Sequence, residues 1–372
     1  MDIFFQFEKK PVRFSDPLFI IECYDERSFS ESFRRIESAL KDGFYIAGFF
    51  SYEAGYSFEK RLNVKGKSEF PLIYLGVYKD YSKFKPALSG NKQKNCVENL
   101  KLSISFEDYS KNIRAIRDYI AQGEVYQITY CLKMYFDFSG DPFSLYSELL
   151  KEQPVPYPAY IDTGKYRILS CSPEMFLKKE KERICAKPMK GTWFRGNNWV
   201  SDKLEKIRFR QDEKNRAENV MIADLLRNDL GRTASGIRAP KLFEVDGYKT
   251  LYQMTSTVTG NVEKDIDLYK LFASIFPSGS VTGAPKIRAM EIIKELEREE
   301  RRIYTGAIGY ITPDKNLFFN VPIRTILINE RKAEMGIGGG IVWDSTPEGE
   351  WKEGLLKARF LTKFSSSNAS FS

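Results

Sequence analysis

The chain has 372 residues, of which 42% are hydrophobic and 14% aromatic; this exceeds the roughly 250–300 residues at which one core stops growing, and the composition excludes a disordered chain. Its formal net charge of +8 comes from Lys and Arg interleaved with Asp and Glu, which argues against a nucleic-acid groove, where basic residues cluster. It contains no histidine, so Ser-His-Asp triads, imidazole bases and imidazole metal sites are excluded together, leaving acid–base work to Glu, Asp, Lys or Tyr and any metal to oxygen ligands, as Mg²⁺ takes.

The five cysteines (Cys23, Cys96, Cys131, Cys171 and Cys185) are odd in number, widely spaced and without a C-x-x-C pair, which points to reduced thiols rather than a disulfide framework or zinc site. No apolar run reaches the roughly 18 residues of a membrane span, and the N-terminus lacks a signal pattern. A soluble cytoplasmic protein that touches neither membrane nor nucleic acid is expected.

Residues 1–100 alternate short apolar runs (LFIIECY, FYIAGFFSYEAGY, PLIYLGVY) with polar links, reading as strands with one helix near 30–40. This portion is expected to be integrated with the main fold. The polar stretch YSKFKPALSGNKQKN, with Pro86 and Gly90, reads as a boundary or crossing linker. Tyr109, Ile113, Ile116 and Ile120 then recur at helical spacing over about 106–122, with Gly123 as a stop. In EVYQITYCLKMYF the residues Tyr126, Ile128, Tyr130, Leu132, Met134 and Phe136 alternate, so Gln127 and Thr129 face the other side of a strand. A solvent-facing Gln127 is the plain reading.

The loop KPMKGTWFRG sets Lys190 between apolar Met189 and a Gly-Thr pair, either as a solvated charge or as a reactive amine. DEKNRAENVMIADLLRNDLGR reads as a helix closing at Gly231 in which Lys214, Asn215 and Glu218 share a face. FPSGSVTGAPKIRAMEIIKELE is a glycine-rich loop entering a helix, with Pro285 placed in its first turn. It is not a Walker A motif, yet its helix start could hold a carboxylate or phosphate on backbone amides. In the last helix, from about 346–347, Glu350, Glu353 and Lys357 at i, i+3 and i+7 project together, as a solvated face or an oxygen-ligand site. The terminal residues 366–372 read as a flexible tail.

SPE at Ser172–Glu174, PMKGT at Pro188–Thr192, ENVMIADLLRNDLGR, PSGSVTGAPK, YTGAIGY, NVPIRT and GGGIVWDSTPEGEWKE occur here in the order in which they occur in chorismate-utilising enzymes. The chain resembles that family from about Glu107 to Phe360, and GFFSYEAGY extends the likeness weakly into the first third. The resemblance implies an α+β fold of two antiparallel β-sheets packed as a sandwich with helices outside, and a chorismate-binding catalytic domain over 101–365. Lysine at position 190 is similar to the branch that aminates chorismate to 4-amino-4-deoxychorismate, on the way to 4-aminobenzoate and folate. Anthranilate, isochorismate and salicylate branches usually carry alanine there.

What the resemblance implies for roles is specific. Lys190 would be an amine nucleophile and Glu174 the general acid for the departing 4-hydroxyl. Glu218, Glu350 and Glu353 would bind Mg²⁺. Lys357 and the amides of Gly338, Gly339 and Gly340 would contact the ring carboxylate, and Arg324 with Tyr304 the enolpyruvyl carboxylate. Thr192 joins the substrate set. Gln127 stands where water-adding relatives carry a lysine base, and Gln253 where many relatives carry histidine. With no histidine and no cysteine nucleophile elbow, ammonia is expected from a separate glutamine amidotransferase subunit or from solution. An anthranilate synthase component I and a non-catalytic chorismate-binding or regulatory subunit are the alternatives.

Overall fold

The computed structural model describes residues 1–62, 66–83, 95–248, 251–362 and 364. Pro86 and Gly90 of the expected linker, and the 366–372 tail, lie outside the described residues. Two ten-stranded sheets form, and every strand pairing among the described residues is antiparallel. The first 83 residues supply strands to both: Asp2–Phe7, Lys10–Phe14 and Ser82–Lys83 to the first sheet, Phe19–Cys23, Tyr45–Phe50 and Ile73–Tyr78 to the second.

Side-chain alternation within single strands builds four layers, because successive residues point to opposite faces. In Tyr45–Phe50, Ala47 and Phe49 enter the core between the sheets, whereas Ile46 and Phe50 pack under helices. Likewise Ile168 lies between the sheets and Leu169 under the helices of the first sheet. The inter-sheet core is aromatic, with Phe5, Phe7, Phe14, Phe49, Tyr157 and Phe318 in one cluster. Each such buried ring removes enough apolar surface from water to contribute about 1.5–3 kcal/mol.

Helices Glu26–Lys41, Glu213–Gly231 and Leu268–Ile275 cover the second sheet. Helices Phe106–Ala121, Pro142–Glu152, Lys286–Leu296 and Pro347–Thr362 cover the first. Helix Glu26–Lys41 starts earlier than the apolar spacing suggests because Asp25 accepts the Ser28 N–H and caps it. Asp212 ends helix Trp199–Gln211 and, by accepting from the Asn215 N–H, starts Glu213–Gly231. Helix Trp199–Gln211 has no counterpart in the sequence reading, because its apolar residues lie on opposite sides and leave no one-sided pattern.

Two expectations are corrected. Pro285 is not in the first turn of its helix but is the N-cap residue before Lys286, and Gly283–Ala284 just ahead of it pair with strand Gln127–Ser139. Tyr126 precedes that strand and is exposed, while Gln127 is wholly buried rather than solvent-facing. The strand lies between the covering helices and the interior, so both its faces are enclosed. All five cysteines are unpaired thiols, and no helix among the described residues is long and apolar enough to cross a membrane.

Candidate active site

Two corners where the chain passes from one sheet to the other place an acid and a cation on the wall of one cavity. Strand Tyr166–Ser172 belongs to the first sheet and Met175–Glu180 to the second, so Pro173 and Glu174 are the crossing. Strand Leu317–Asn320 belongs to the second and Thr325–Asn329 to the first, so Val321–Arg324 cross back. The corners are laced together: the Val321 N–H donates to the Glu174 carbonyl (3.1 Å), Ser172 Oγ to the Val321 carbonyl (2.5 Å), and the Cys171 N–H to the Arg324 carbonyl (3.1 Å). Arg324 completes its corner in the left-handed region, at φ 51°.

Glu174 is buried, and burial pushes its carboxyl up to about 7 despite the hydrogen bond donated by Ser280 Oγ and the nearby Lys190 amine, which both pull it down. A carboxylic acid that keeps its proton near neutrality can protonate a leaving group. Arg324 lies in the same cavity wall, its pKa lowered by burial, with no carboxylate beside it among the described residues; its guanidinium donates a long, 3.5 Å hydrogen bond to Gln153 Oε1. A half-buried guanidinium so placed suits a carboxylate ligand.

Lys190 reaches the cavity through a β-bulge. Strand Met189–Phe194 pairs with Leu251–Asn261 at Met189↔Thr255 and again at Thr192↔Gln253, so the register slips over Lys190 and Gly191. A bulge re-aims its side chain. Gly191 has φ 90°, and a Cβ there would stand 2.5 Å from Asn215 Oδ1, so glycine is required. Burial lowers the Lys190 pKa and the Lys357 ammonium adds to that effect, while Glu218, Glu174 and Glu353 oppose it. The net direction is toward a free amine, the nucleophilic form.

Strand Lys332–Ile341 passes between this lysine and an acidic cluster. Its neighbour Thr325–Asn329 pairs with it only as far as Met335, whereas Gln127–Ser139 follows it to Ile341, so the run from Gly336 onward has one side without a strand partner. A Cβ at Gly339 would meet Glu350 Oε2 at 3.1 Å, Lys357 Nζ at 3.5 Å and Glu353 Oε1 at 3.8 Å; one at Gly340 would meet Gln127 Nε2 at 2.1 Å and Lys190 Nζ at 2.8 Å. The glycines are there because functional side chains press on both faces. Lys357 Nζ binds the Gly338 carbonyl (2.9 Å) and Glu353 (2.8 Å), and Glu350 accepts from Ser345 (2.6 Å). Burial raises the carboxyls of Glu218 and Glu350, whereas Lys357 holds Glu353 below the usual range.

These elements enclose a cavity of about 340 Å³ whose wall includes Glu174, Lys190, Thr192, Glu218, Gln253, Tyr304, Arg324, Gly338, Gly339, Gly340, Glu350, Glu353 and Lys357. A family model described as chorismate binding enzyme matches residues 6–363. The chain belongs to the chorismate binding enzyme family.

Among curated relatives, it is 37% identical over 310 residues (82% of this chain, 33% of that protein) to the probable chloroplastic aminodeoxychorismate synthase of Oryza sativa subsp. japonica. It is 36% identical over 268 residues (72% and 54%) to anthranilate synthase component 1 of Aquifex aeolicus. The chain thus spans about a third to a half of the length of these relatives. Its fold is similar to that of anthranilate synthase component I from Streptococcus pneumoniae, with TM-score 0.81, 23% identity and coverage of 94% of this chain and 91% of that one.

In this chorismate binding enzyme every residue singled out from the sequence lines the cavity except Gln127, which lies behind the glycine strand against Lys190. Both side-chain polar atoms of Gln127, and Oε1 of Gln253, are buried without a protein partner. Ser280 is the residue the sequence reading missed. It sits inside the PSGSVTGAPK motif, whose sequence points instead to backbone amides at the following helix start, and that start is not part of the cavity wall. Gly340→Ala is expected to lower kcat/KM more than tenfold, with the folded state retained by circular dichroism, because the new methyl displaces the Gln127 amide and Lys190 amine together.

Proposed function

We propose that the chain is an Mg²⁺-dependent enzyme that aminates chorismate with ammonia to 4-amino-4-deoxychorismate. The carrying observation is Lys190, an amine whose pKa is lowered by burial and which a bulge aims into a cavity that also holds Glu174, its carboxyl pushed up to about 7. Lys190 attacks ring carbon C2, both ring double bonds shift by one position around the ring, and the C4–O bond breaks as Glu174 gives the departing oxygen its proton. Ammonia then adds at C4, both double bonds shift back, and the C2–N bond breaks, returning the electron pair to Lys190; the Glu174 carboxylate can accept a proton from the incoming nitrogen. Arg324 and Tyr304 hold the enolpyruvyl carboxylate. Lys357 and the glycine strand face the ring carboxylate.

The fit to Mg²⁺ rests on hard oxygen donors converging at the cradle left by Gly339. As the side chains lie, no group of three or more metal-ligating residues stands together among the described residues, since Lys357 and Ser345 occupy the Glu353 and Glu350 oxygens. Glu218, Glu350 and Glu353 would hold the ion, which would supply positive charge beside the substrate's ring carboxylate.

The test is product analysis with chorismate, Mg²⁺ and ammonium: aminodeoxychorismate is expected, activity stops in EDTA, and glutamine substitutes for ammonium only when a separate amidotransferase is added. Relatives named anthranilate synthase component 1 at similar identity make anthranilate the competing product. Anthranilate, or no turnover, would refute the reading. The raised Glu174 pKa also sets a pH limb. The acid form is the active one, so at fixed free ammonia kcat should fall about tenfold per unit as pH rises past about 7.

A further inference from the structure

Arg301 lies behind the cavity wall, its side chain buried, and each of the five N–H donors of its guanidinium finds an acceptor. Nε and Nη2 grip the two oxygens of Glu297 (2.8 and 2.6 Å), and Nη2 also donates to the Thr129 carbonyl (2.7 Å). Nη1 donates to the Val281 carbonyl (2.8 Å) and to Thr305 Oγ1 (3.2 Å). The Tyr52 ring lies 4.4 Å from the guanidinium carbon, and Glu53 accepts the Arg301 and Arg302 N–H groups at 2.7 and 3.0 Å. Tyr52 and Glu53 belong to GFFSYEAGY, so this stretch of the first third braces the arginine. Because the bidentate pair with Glu297 offsets its charge, Arg301 acts on the cavity through geometry.

What the fork holds is the turn that carries Ser280. This turn closes on itself, since the Val281 N–H and Thr282 Oγ1 both donate to the Ser278 carbonyl (3.1 and 3.0 Å). It is fastened to its surroundings at three successive carbonyls. That of Ser280 accepts from Thr129 Oγ1 (3.3 Å), that of Val281 from Arg301, and that of Thr282 from the Thr129 N–H (2.7 Å). Since Arg301 also holds the Thr129 carbonyl, it clasps the turn and strand Gln127–Ser139 together. From the turn so held, Ser280 Oγ donates to Glu174. Glu174 is also influenced by the Lys190 amine, the Met189 backbone and the Tyr248 phenol, while Glu297, Tyr52, Cys131 and Tyr304 stand around Arg301. Of the groups acting on Glu174, Ser280 is the one whose seat Arg301 holds.

We propose that Arg301, gripped by Glu297, is a positioning residue for the acid: from behind the wall it fixes the turn at 278–282 so that Ser280 Oγ stays on Glu174, and so sets how readily that carboxyl ionises. This rests on the reading of Glu174 as the acid of the amination above. Its test is separable from that reading, because ionisation is measured without substrate and amination by turnover.

The probe is the infrared absorption of the protonated Glu174 carboxyl in the substrate-free, full-length enzyme, identified as the band that Glu174→Gln removes and titrated against pH. Arg301→Lys keeps the charge but gives up the fork. It should raise the midpoint by roughly half a pH unit or more, because the hydrogen bond from Ser280 favours the charged carboxylate and is loosened. Ser280→Ala should raise the midpoint too, and Arg301→Lys/Ser280→Ala should titrate where Ser280→Ala does, since the arginine acts through that hydroxyl. The high-pH limb of ammonium-supported kcat should follow the same order. Thermal unfolding reports stability apart from this: a merely structural arginine would lower Tm and leave the titration where it was. If Arg301→Lys does not fold, Glu297→Asp, which shortens by one methylene the carboxylate gripping Nε and Nη2, should give the same rise. An unmoved midpoint in whichever of these variants folds, or shifts that simply add in the double variant, would overturn the proposal. A midpoint that moves as stated, in an enzyme that makes anthranilate or nothing from chorismate and ammonium, would leave the positioning role standing and sink the amination reading instead.

Discussion

Lys190→Ala is expected to slow amination on the order of a hundredfold or more at limiting ammonia while chorismate affinity changes little. Lys190 supplies a nitrogen already positioned in the cavity, and such proximity replaces a high concentration of external nucleophile. In the proposed reading its amine is not needed to anchor the substrate, whose carboxylates would meet Arg324, Tyr304, Lys357 and a cation held by the acidic cluster. Without it, ammonia or water attacks C2 directly, and the resulting adduct, not tethered to the enzyme, can leave the cavity before a second displacement. The product should therefore drift toward 2-amino-2-deoxyisochorismate or isochorismate. Mass spectrometry of wild-type enzyme quenched during turnover should show a substrate adduct on Lys190. A wild type without an adduct, together with a variant of unchanged rate and product, would return this lysine to the status of a loop charge.

Glu174→Gln should cost about 10²–10⁴ in kcat, the range for losing a positioned general acid. The substitution is nearly isosteric, and its amide oxygen can still accept from Ser280 Oγ, so the corner between the sheets should persist and Tm should move by no more than a few degrees. The fall in kcat above about pH 7 should vanish with the carboxyl, because only that group's proton is being titrated. Ser280→Ala provides the complement. Removing a hydrogen bond that favours the charged form leaves burial less opposed, so the limb should shift to higher pH. A variant at position 174 with near wild-type kcat and an intact limb would place the acid elsewhere.

The chain's chemical inventory was readable without coordinates. A missing histidine, a lysine in the P-M-K-G-T loop and paired carboxylates at helical spacing depend only on residue identity and local periodicity, and the order of the motifs carried the sandwich of two antiparallel sheets. Helix boundaries erred where capping decided them, as Asp25 did for Glu26–Lys41. Gln127 shows the limit of strand alternation. Period two says which residues share a face, but whether that face meets water depends on what packs against it. Ser280 could not be paired with Glu174 from sequence, because the two are 106 positions apart and meet only through the folding of the loop against an inter-sheet corner. Helix Trp199–Gln211 escaped because apolar residues on opposite sides cancel the one-sided pattern that periodicity detects.

The sequence by itself therefore determined which functional groups exist, which are absent, and which neighbours along one helix or strand point the same way. Only the tertiary structure decided their protonation and their meeting. The acid near 7 at Glu174 and the depressed amine at Lys190 arise from desolvation by residues far away in the chain. The bulge at Lys190–Gly191 and the half-paired glycine strand are properties of pairing between distant segments. Burial is a property of the packed whole, and the chemistry of this cavity follows from burial.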